Sequence, residues 1–195
     1  FARYRADRGE FLHIDHEPTA DQLAAVLQLI TADVPPYVDF RIFGPHGKRM
    51  MKKLHLVAHR YEPADGSWRR QDYAGPPDFA TWWKSWLVFK CTMLLLDEAK
   101  PEPLDLYGEM IREFSQTYGE TCWFLIYQAD IRMRNEEFDR MRRRHEIENP
   151  PVVVPYPLPQ PRCNWGSVFS FAVRNKNFWD TEVREKALLY LARIR

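Results

Sequence analysis

Residues 79–96 constrain the fold more than any other part of the chain. Asp78 stands in front of them as a helix cap, and the segment carries Trp82, Trp83 and Trp86 among many other large apolar residues. A helix that is apolar on most of its sides has no face to offer to water. The pattern therefore predicts a central helix that other elements must surround.

Other helices are indicated by start and stop signals. Thr19 and Gln22 have the spacing of a capping box, and Gly119 stands where a helix would end. The predicted helices cover residues 19–32, 79–96, 104–118, 121–148, 165–174 and 181–195. The chain should be mostly α-helical.

One β-hairpin is predicted among these helices. Residues 53–61 and 67–73 form its arms, and the turn at 63–66 contains Gly66, which is free to adopt positive φ. Before the hairpin, apolar and polar residues alternate over 37–43, which predicts a short extended segment, and residues 44–47 form a turn.

A proline-rich strap separates the last two helices from the rest. Six prolines lie within residues 149–161, which excludes a helix or a central strand there. The strap would either serve as a polyproline ligand or lie across the surface and tether the last two helices, and its apolar residues favour the second role. We therefore divide the chain into a helical core domain with the hairpin near 53–73, a linker and a C-terminal helical segment. Their bounds are 1–148, 149–161 and 162–195.

Charge is unevenly distributed although the formal net charge is only +1. The chain as a whole has no bias toward polyanions, so any affinity for nucleic acid must come from local patches. Residues 41–70 hold eight Lys or Arg and two acids, whereas residues 97–113 hold six acids and two bases. These two segments are the candidate contact surfaces.

The basic segment has aromatic residues interleaved with its cations, as in surfaces that hold single-stranded nucleic acid. Docking on the acidic segment of a neighbouring copy and a passive solvated surface are the other two interpretations. The candidate nucleic-acid contacts are Lys48, Arg49, Lys52, Lys53, Arg60, Trp68, Arg69 and Arg70. The candidate self-association contacts are Asp97, Glu98, Glu102, Asp105, Glu109 and Glu113.

Two further basic features have simpler interpretations. The loop at 44–47 has the G-x-x-G spacing of the loop with which KH domains clamp a nucleic-acid backbone, but Pro45 removes an amide donor, and a plain turn is favoured. Arg140, Arg142, Arg143 and Arg144 lie among acids at helical spacings, so we expect an exposed helix face with internal salt bridges.

No cofactor, metal or catalytic group is predicted. His55 and His59 are four residues apart in a predicted strand, where zinc would need a further ligand from elsewhere. Cys91 and Cys122 lie in apolar helices, where a thiol is inert, and carboxylates are expected on solvated faces. We expect a protein that is not an enzyme, while catalytic groups that converge from distant positions remain a third possibility.

The compartment is inferred from the cysteines. Three widely spaced cysteines give no disulfide framework, which favours a reducing, intracellular setting, cytoplasmic or nuclear. The apolar run at 82–96 contains Lys84 and Lys90 and is too short to span a bilayer. The sequence starts at Phe1 rather than Met, so we expect a fragment or a processed form. A targeting segment could have preceded it, so an organellar location is the alternative.

Several motifs together resemble a known family. They are DVPPYVDF at 33–40, FGPHGK at 43–48, GPPDF at 75–79 with Trp82 and Trp86, MLLLD at 93–97, LDLY at 104–107, the run from Trp123 into YQAD at 127–130, Trp165-Gly166 and Phe178-Trp179. This set is similar to the repeated open reading frames of dinoflagellate algae, the gag-like region of retrotransposon-type polyproteins.

The resemblance implies a capsid-like or nucleoprotein-like domain that self-assembles and packages the element's RNA. No C-x2-C zinc knuckle occurs in the sequence, so that RNA-binding module of the family would lie elsewhere. The expected function is a non-enzymatic gag-like assembly domain whose partners are copies of itself and RNA, bound weakly. The alternative is an accessory, non-catalytic subunit of a large protein or ribonucleoprotein complex, with Trp and Tyr residues as interface anchors.

Overall fold

The structure, a computed structural model, describes residues 14–40, 43–45, 55–150 and 163–194. Its described part is mostly helical with one two-stranded antiparallel hairpin, which confirms the predicted fold class. In chain order the elements are α1 (Ala20–Thr31), β1 (His55–Glu62), β2 (Ser67–Ala74), α2 (Phe79–Leu95), α3 (Pro101–Tyr118), α4 (Trp123–Arg132), α5 (Phe138–Glu148), α6 (Trp165–Arg174), α7 (Lys176–Trp179) and α8 (Lys186–Ile194). Short 3-10 turns occupy Ile14–His16 and Glu120–Cys122.

The helix ends follow the local signals in the sequence. Both hydrogen bonds of the capping box between Thr19 and Gln22 are present, and the side chain of Asp78 accepts a bond from the amide of Thr81. Gly119 has a φ of 73° and ends α3. This helix begins at Pro101, three residues before the predicted start, because proline fits the first turn of a helix.

The central position of α2 is confirmed. Trp82 and Trp86 are at most 1% exposed, and their rings stack with centroids 5.3 Å apart. Residues 37–40 belong to neither strand, but Phe40 packs against Trp82 and Phe89 of α2 and is buried. The core is therefore largely aromatic and is built around this helix.

Helix α3 approaches α2 closely at Gly108. A Cβ atom on this glycine would lie 2.6 Å from Nε1 of Trp86 and 3.0 Å from the ring of Trp83. Such distances leave no room for a side chain, so glycine sets the separation of the two helices here.

The helices after the proline-rich segment contribute to the same core. Phe169 of α6 is buried and meets Phe138 of α5 edge-on, with centroids 4.7 Å apart. Trp179 of α7 is also buried and contacts Tyr107 of α3. Most of the predicted linker, from residue 151 onward, lies outside the described residues.

Two of the predicted helices contain π-helical turns. Met133–Glu137 separates α4 from α5, and Asp180–Glu185 separates α7 from α8. A π-helical turn inserts an extra residue into the helical repeat, and such turns frequently accompany functional sites. The first turn lies inside the predicted helix 121–148, whereas the second begins one residue before the predicted helix 181–195 and continues the unpredicted α7.

None of the helices within the described ranges combines the length and the apolar composition needed to cross a membrane.

Candidate functional site

The structure describes only part of the basic segment, residues 41–70, and we call its strands β1 and β2 the basic hairpin. Lys48, Arg49, Lys52 and Lys53 lie outside the described residues. Arg60, Arg69 and Arg70 are all exposed on β1 and β2. The predicted cationic surface therefore includes at least these three guanidinium groups.

The hairpin register places two like charges opposite each other. Arg60 on β1 pairs directly with Arg69 on β2, an arrangement that repels unless an anion lies nearby. Asp65 in the turn is 3.2 Å from Arg69 and relieves part of this repulsion. Arg60 has no ion pair within the described part of the chain, whereas Arg69 and Arg70 each lie near an aspartate, so among these three arginines Arg60 is the most available to an external anion.

Trp68 is engaged within the fold. Its ring meets Tyr190 of α8 edge-on with centroids 4.9 Å apart and lies 5.4 Å from the ring of Tyr61. Its indole N–H is buried without a hydrogen-bond partner among the described residues. The part of Trp68 that packs on Tyr190 is not open to a nucleic-acid base.

His59 lies in the same aromatic contact. Its Nδ1 is 2.8 Å from the hydroxyl of Tyr190, and its ring meets Phe124 of α4 edge-on. Within the described ranges no three His, Cys, Asp or Glu side chains are grouped so as to hold a metal ion. The described contacts of His59 attach the hairpin to α4 and α8.

The acidic segment divides into two parts. Glu102, Asp105, Glu109 and Glu113 follow one another at spacings of three or four residues and are all exposed, so they form an acidic stripe along one face of α3. Asp97 and Glu98 precede the helix, and burial together with the nearby charge of Asp97 raises the pKa of Glu98. Only the first four share one helix face.

The acidic stripe has an apolar centre and incomplete internal pairing. Leu106 lies within it and is 57% exposed. Lys90 contacts Asp105, and Arg112 lies 3.1 Å from Glu109. Glu102 and Glu113 form no ion pair in the described part, so two carboxylates are available to an external cation.

One carboxylate is fully buried, which corrects the expectation that the carboxylates lie on solvated faces. Asp130 of α4 has no exposed surface, and Arg134 is 1% exposed. The two carboxylate oxygens accept bonds of 2.8 and 2.7 Å from Nε and Nη2 of Arg134. Trp82 Nε1 and the Tyr107 hydroxyl each donate a further bond of 2.9 Å to Asp130.

The electrostatics of this buried network keep Arg134 charged. Burial lowers the pKa of Arg134, but the charge and hydrogen bonds of Asp130 more than offset that effect, and the pKa is raised overall. Burial and the nearby Asp130 charge raise the pKa of Tyr107 well above its usual value. These groups are buried, and their hydrogen bonds connect α2, α3 and α4 in the core.

The arginine-rich face of α5 is exposed except at one position. Arg140 pairs with Glu137 and Arg143 with Asp139, as expected for a solvated helix face. Arg142, however, is only 5% exposed, so the prediction is wrong for this residue.

Arg142 connects α5 to the end of α1. Its two terminal nitrogens donate to the side chain and to the carbonyl of Asp33, at 2.7 and 3.0 Å. Asp33 has a φ of 61°, a conformation that Asp adopts more readily than most residues. The guanidinium also lies 4.3 Å from the ring centre of Trp165, so the buried charge is paired and covered.

Comparison with known proteins gave no match among family models, curated proteins or solved structures. The family resemblance therefore depends on the sequence motifs alone. The candidate contact surfaces depend on the exposed charges.

Proposed function

We propose that this chain is a non-enzymatic, gag-like assembly domain that associates with copies of itself and binds nucleic acid weakly. The observation that carries the proposal is the presence of opposite, incompletely paired charges on two separate exposed elements. The basic hairpin carries Arg60 and Arg69 opposite each other, and α3 carries the acidic stripe.

The two surfaces suit a contact between different faces of neighbouring copies. The stripe runs from Glu102 to Glu113, about 17 Å at the rise of an α-helix. Leu106 supplies an apolar contact in its middle, and the unpaired carboxylates flank it. When two copies join through different faces, each end of the pair still presents one unused face. Further copies can therefore add, and they form rings or open lattices.

Nucleic acid would contact the same hairpin through phosphate groups. The arginines are exposed, whereas Trp68 packs on Tyr190, so charge rather than base stacking supplies the affinity. For single strands the logarithm of affinity falls with the logarithm of salt concentration by about 0.7 per neutralised phosphate. Three arginines predict a slope of about −2, which is weak and salt-sensitive binding.

The buried polar groups support a role without catalysis. Asp130 accepts four hydrogen bonds from groups of the fold itself, and Arg142 is held by Asp33. These groups act as internal supports, whereas Arg60, Glu102 and Glu113 are exposed and have no ion pair within the described part of the chain.

The alternative function is that of an accessory subunit in a larger complex. Helix α8 exposes Leu188, Leu189 and Ile194 to between 47% and 62% of their surface. Exposed apolar groups of this kind favour contact with another protein. Under this alternative the chain would associate with different proteins rather than with itself.

Light scattering on charge-reversal variants tests self-association. Wild type should form oligomers that dissociate as salt rises. The double variants Glu102→Lys/Glu113→Lys and Arg60→Glu/Arg69→Glu should each assemble poorly alone. Mixed together they should assemble, because each then offers the complement of the other.

Glu185→Lys serves as the control, because it changes an exposed charge on neither surface. A wild-type chain that is monomeric at every salt concentration would refute self-association. Failure of the two variants to complement each other would refute the assigned contact.

Fluorescence anisotropy with a short oligouridine tests nucleic-acid binding. Replacing both Arg60 and Arg69 by Gln should weaken binding and flatten its salt dependence. Unchanged affinity in this variant would show that the hairpin arginines do not contact the strand.

A further inference from the structure

A cleft of about 350 Å³ opens between the two π-helical turns. Glu137 of the first turn and Thr181 and Glu182 of the second turn line it. The cleft is separate from the hairpin and from the acidic stripe, since no residue of either lines it. Its volume lies in the range of sites that hold small molecules.

The cleft carries a positive charge. Three arginines and two glutamates line it, which leaves a net charge of +1. Arg132 lies 2.5 Å from Glu182 and Arg140 lies 2.6 Å from Glu137, so two of the arginines have internal carboxylate partners.

The third arginine, Arg144, differs from the other two. It is exposed and has no ion pair within the part of the chain that the structure describes. A guanidinium group presents a planar set of donors that matches the oxygens of a phosphate group. Arg144 is therefore the natural first contact for an anion that enters the cleft.

Neutral donors and an apolar surface complete the lining. The side-chain oxygen of Asn175 accepts a bond from the amide of Phe178, which leaves its NH2 group to donate elsewhere. Asn177 adds a second amide, and Met141 and Phe178 supply apolar surface. The lining thus offers charged donors, neutral donors and an apolar contact side by side.

We propose that this cleft binds a phosphate group carried on an organic body the size of a nucleoside monophosphate. Arg144 would bind the phosphate oxygens, and Arg140 would join it by exchanging its bond to Glu137. The amides of Asn175 and Asn177 would bind polar atoms of the attached nucleoside. A free mononucleotide and the 5′-terminal phosphate of a nucleic-acid strand both present this chemistry.

Calorimetric titration of the whole chain with uridine 5′-monophosphate tests the site. We expect saturable binding, little binding of unphosphorylated uridine, and a loss of affinity of about tenfold or more in Arg144→Gln. Arg143→Gln is the matched control, because this neighbouring arginine is also exposed but pairs with Asp139 and does not line the cleft. Glu137→Gln should bind more tightly than wild type, because it frees Arg140.

The source of the phosphate is distinguished with two short RNAs that differ only in a 5′-phosphate. Tighter binding of the phosphorylated strand, lost in Arg144→Gln, assigns the site to strand ends. Equal binding of the two strands assigns it to the free mononucleotide. Replacing Arg60 and Arg69 by Gln should leave binding of the mononucleotide unchanged, so this site is tested independently of the proposed function.

Three results would overturn the inference. They are the absence of saturable binding of the mononucleotide, equal affinity for uridine, and equal losses in Arg143→Gln and Arg144→Gln. Both arginine variants should melt at the wild-type temperature, since both side chains are exposed.

Discussion

Replacing Asp130 by Asn should greatly destabilise the fold. The change keeps the shape of the side chain but removes the charge that balances Arg134, whose guanidinium is 1% exposed. Breaking a buried ion pair by removing one partner costs about 3–5 kcal/mol, because the other charge is left uncompensated. Since a domain is typically stable by about 5–15 kcal/mol, this is a large share of the total.

The measurement is urea unfolding at neutral pH, followed by tryptophan fluorescence and circular dichroism. Asp139→Asn is the matched control, since Asp139 and Arg143 form an Asp–Arg pair at the same spacing of four residues but on an exposed face. Removing an exposed pair should change the free energy of unfolding by less than about 1 kcal/mol. Because both changes replace Asp by Asn in an Asp–Arg pair of the same spacing, the difference between the two variants measures the effect of burial.

A double variant separates lost pairing from lost shape. In Asp130→Asn/Arg134→Met no buried charge remains, so the free energy of unfolding should recover toward wild type. If Asp130→Asn costs no more than Asp139→Asn, the buried network does not hold the core together. If the double variant is as unstable as the sum of the single ones, the cost does not come from the unpaired charge.

Three further outcomes are expected. Gly108→Ala should lower the free energy of unfolding by about 1–3 kcal/mol in urea titrations, because its Cβ would collide with Trp86. At mildly alkaline pH a maleimide should label the partly exposed Cys163 in the native protein, but Cys122 only after denaturation, because Cys122 has no exposed surface. Burial raises the pKa of both thiols, that of Cys122 to about 11. Burial raises the pKa of Glu182, but the hydrogen bonds and charges of Lys186 and Arg132 lower it by more. The net shift is therefore downward from 4.5. The stability that Glu182 adds over Glu182→Gln should thus be present above pH 4.5 and should vanish in urea titrations as pH falls through the lower folded-state pKa.

The helices and the hairpin were predictable because their signals are local. The capping box at Thr19 and Gln22, the cap at Asp78 and the stop at Gly119 each lie within a few residues of the boundary that they set. The turn at Gly66 fixes the hairpin in the same way.

The buried charges were not predictable because their partners are distant. Asp130 meets Trp82 and Tyr107, which lie 48 and 23 residues away along the chain. Arg142 meets Asp33 across 109 residues. In the sequence both charged residues have the same helical spacing as solvated surface pairs, so only tertiary packing distinguishes them.

The candidate contacts were predictable to different degrees. The exposure of Arg60 and Arg69 follows from their charge, whereas the packing of Trp68 on Tyr190 depends on where α8 docks. The cleft was missed because residues far apart in the chain line it and because the π-helical turns that shape it leave no local mark in the sequence.

The attachment of the hairpin to α8 affects how the chain folds during its synthesis. His59 and Tyr190 are separated by 131 residues, and Arg193 donates to the carbonyl of Gly66 across 127. A two-stranded hairpin alone is at best marginally stable in water. A nascent chain can therefore dock the hairpin on α4 first, through the contact of His59 with Phe124, but the contacts with α8 form only after α8 has emerged. Until then the hairpin is only partly secured and is exposed to other nascent copies.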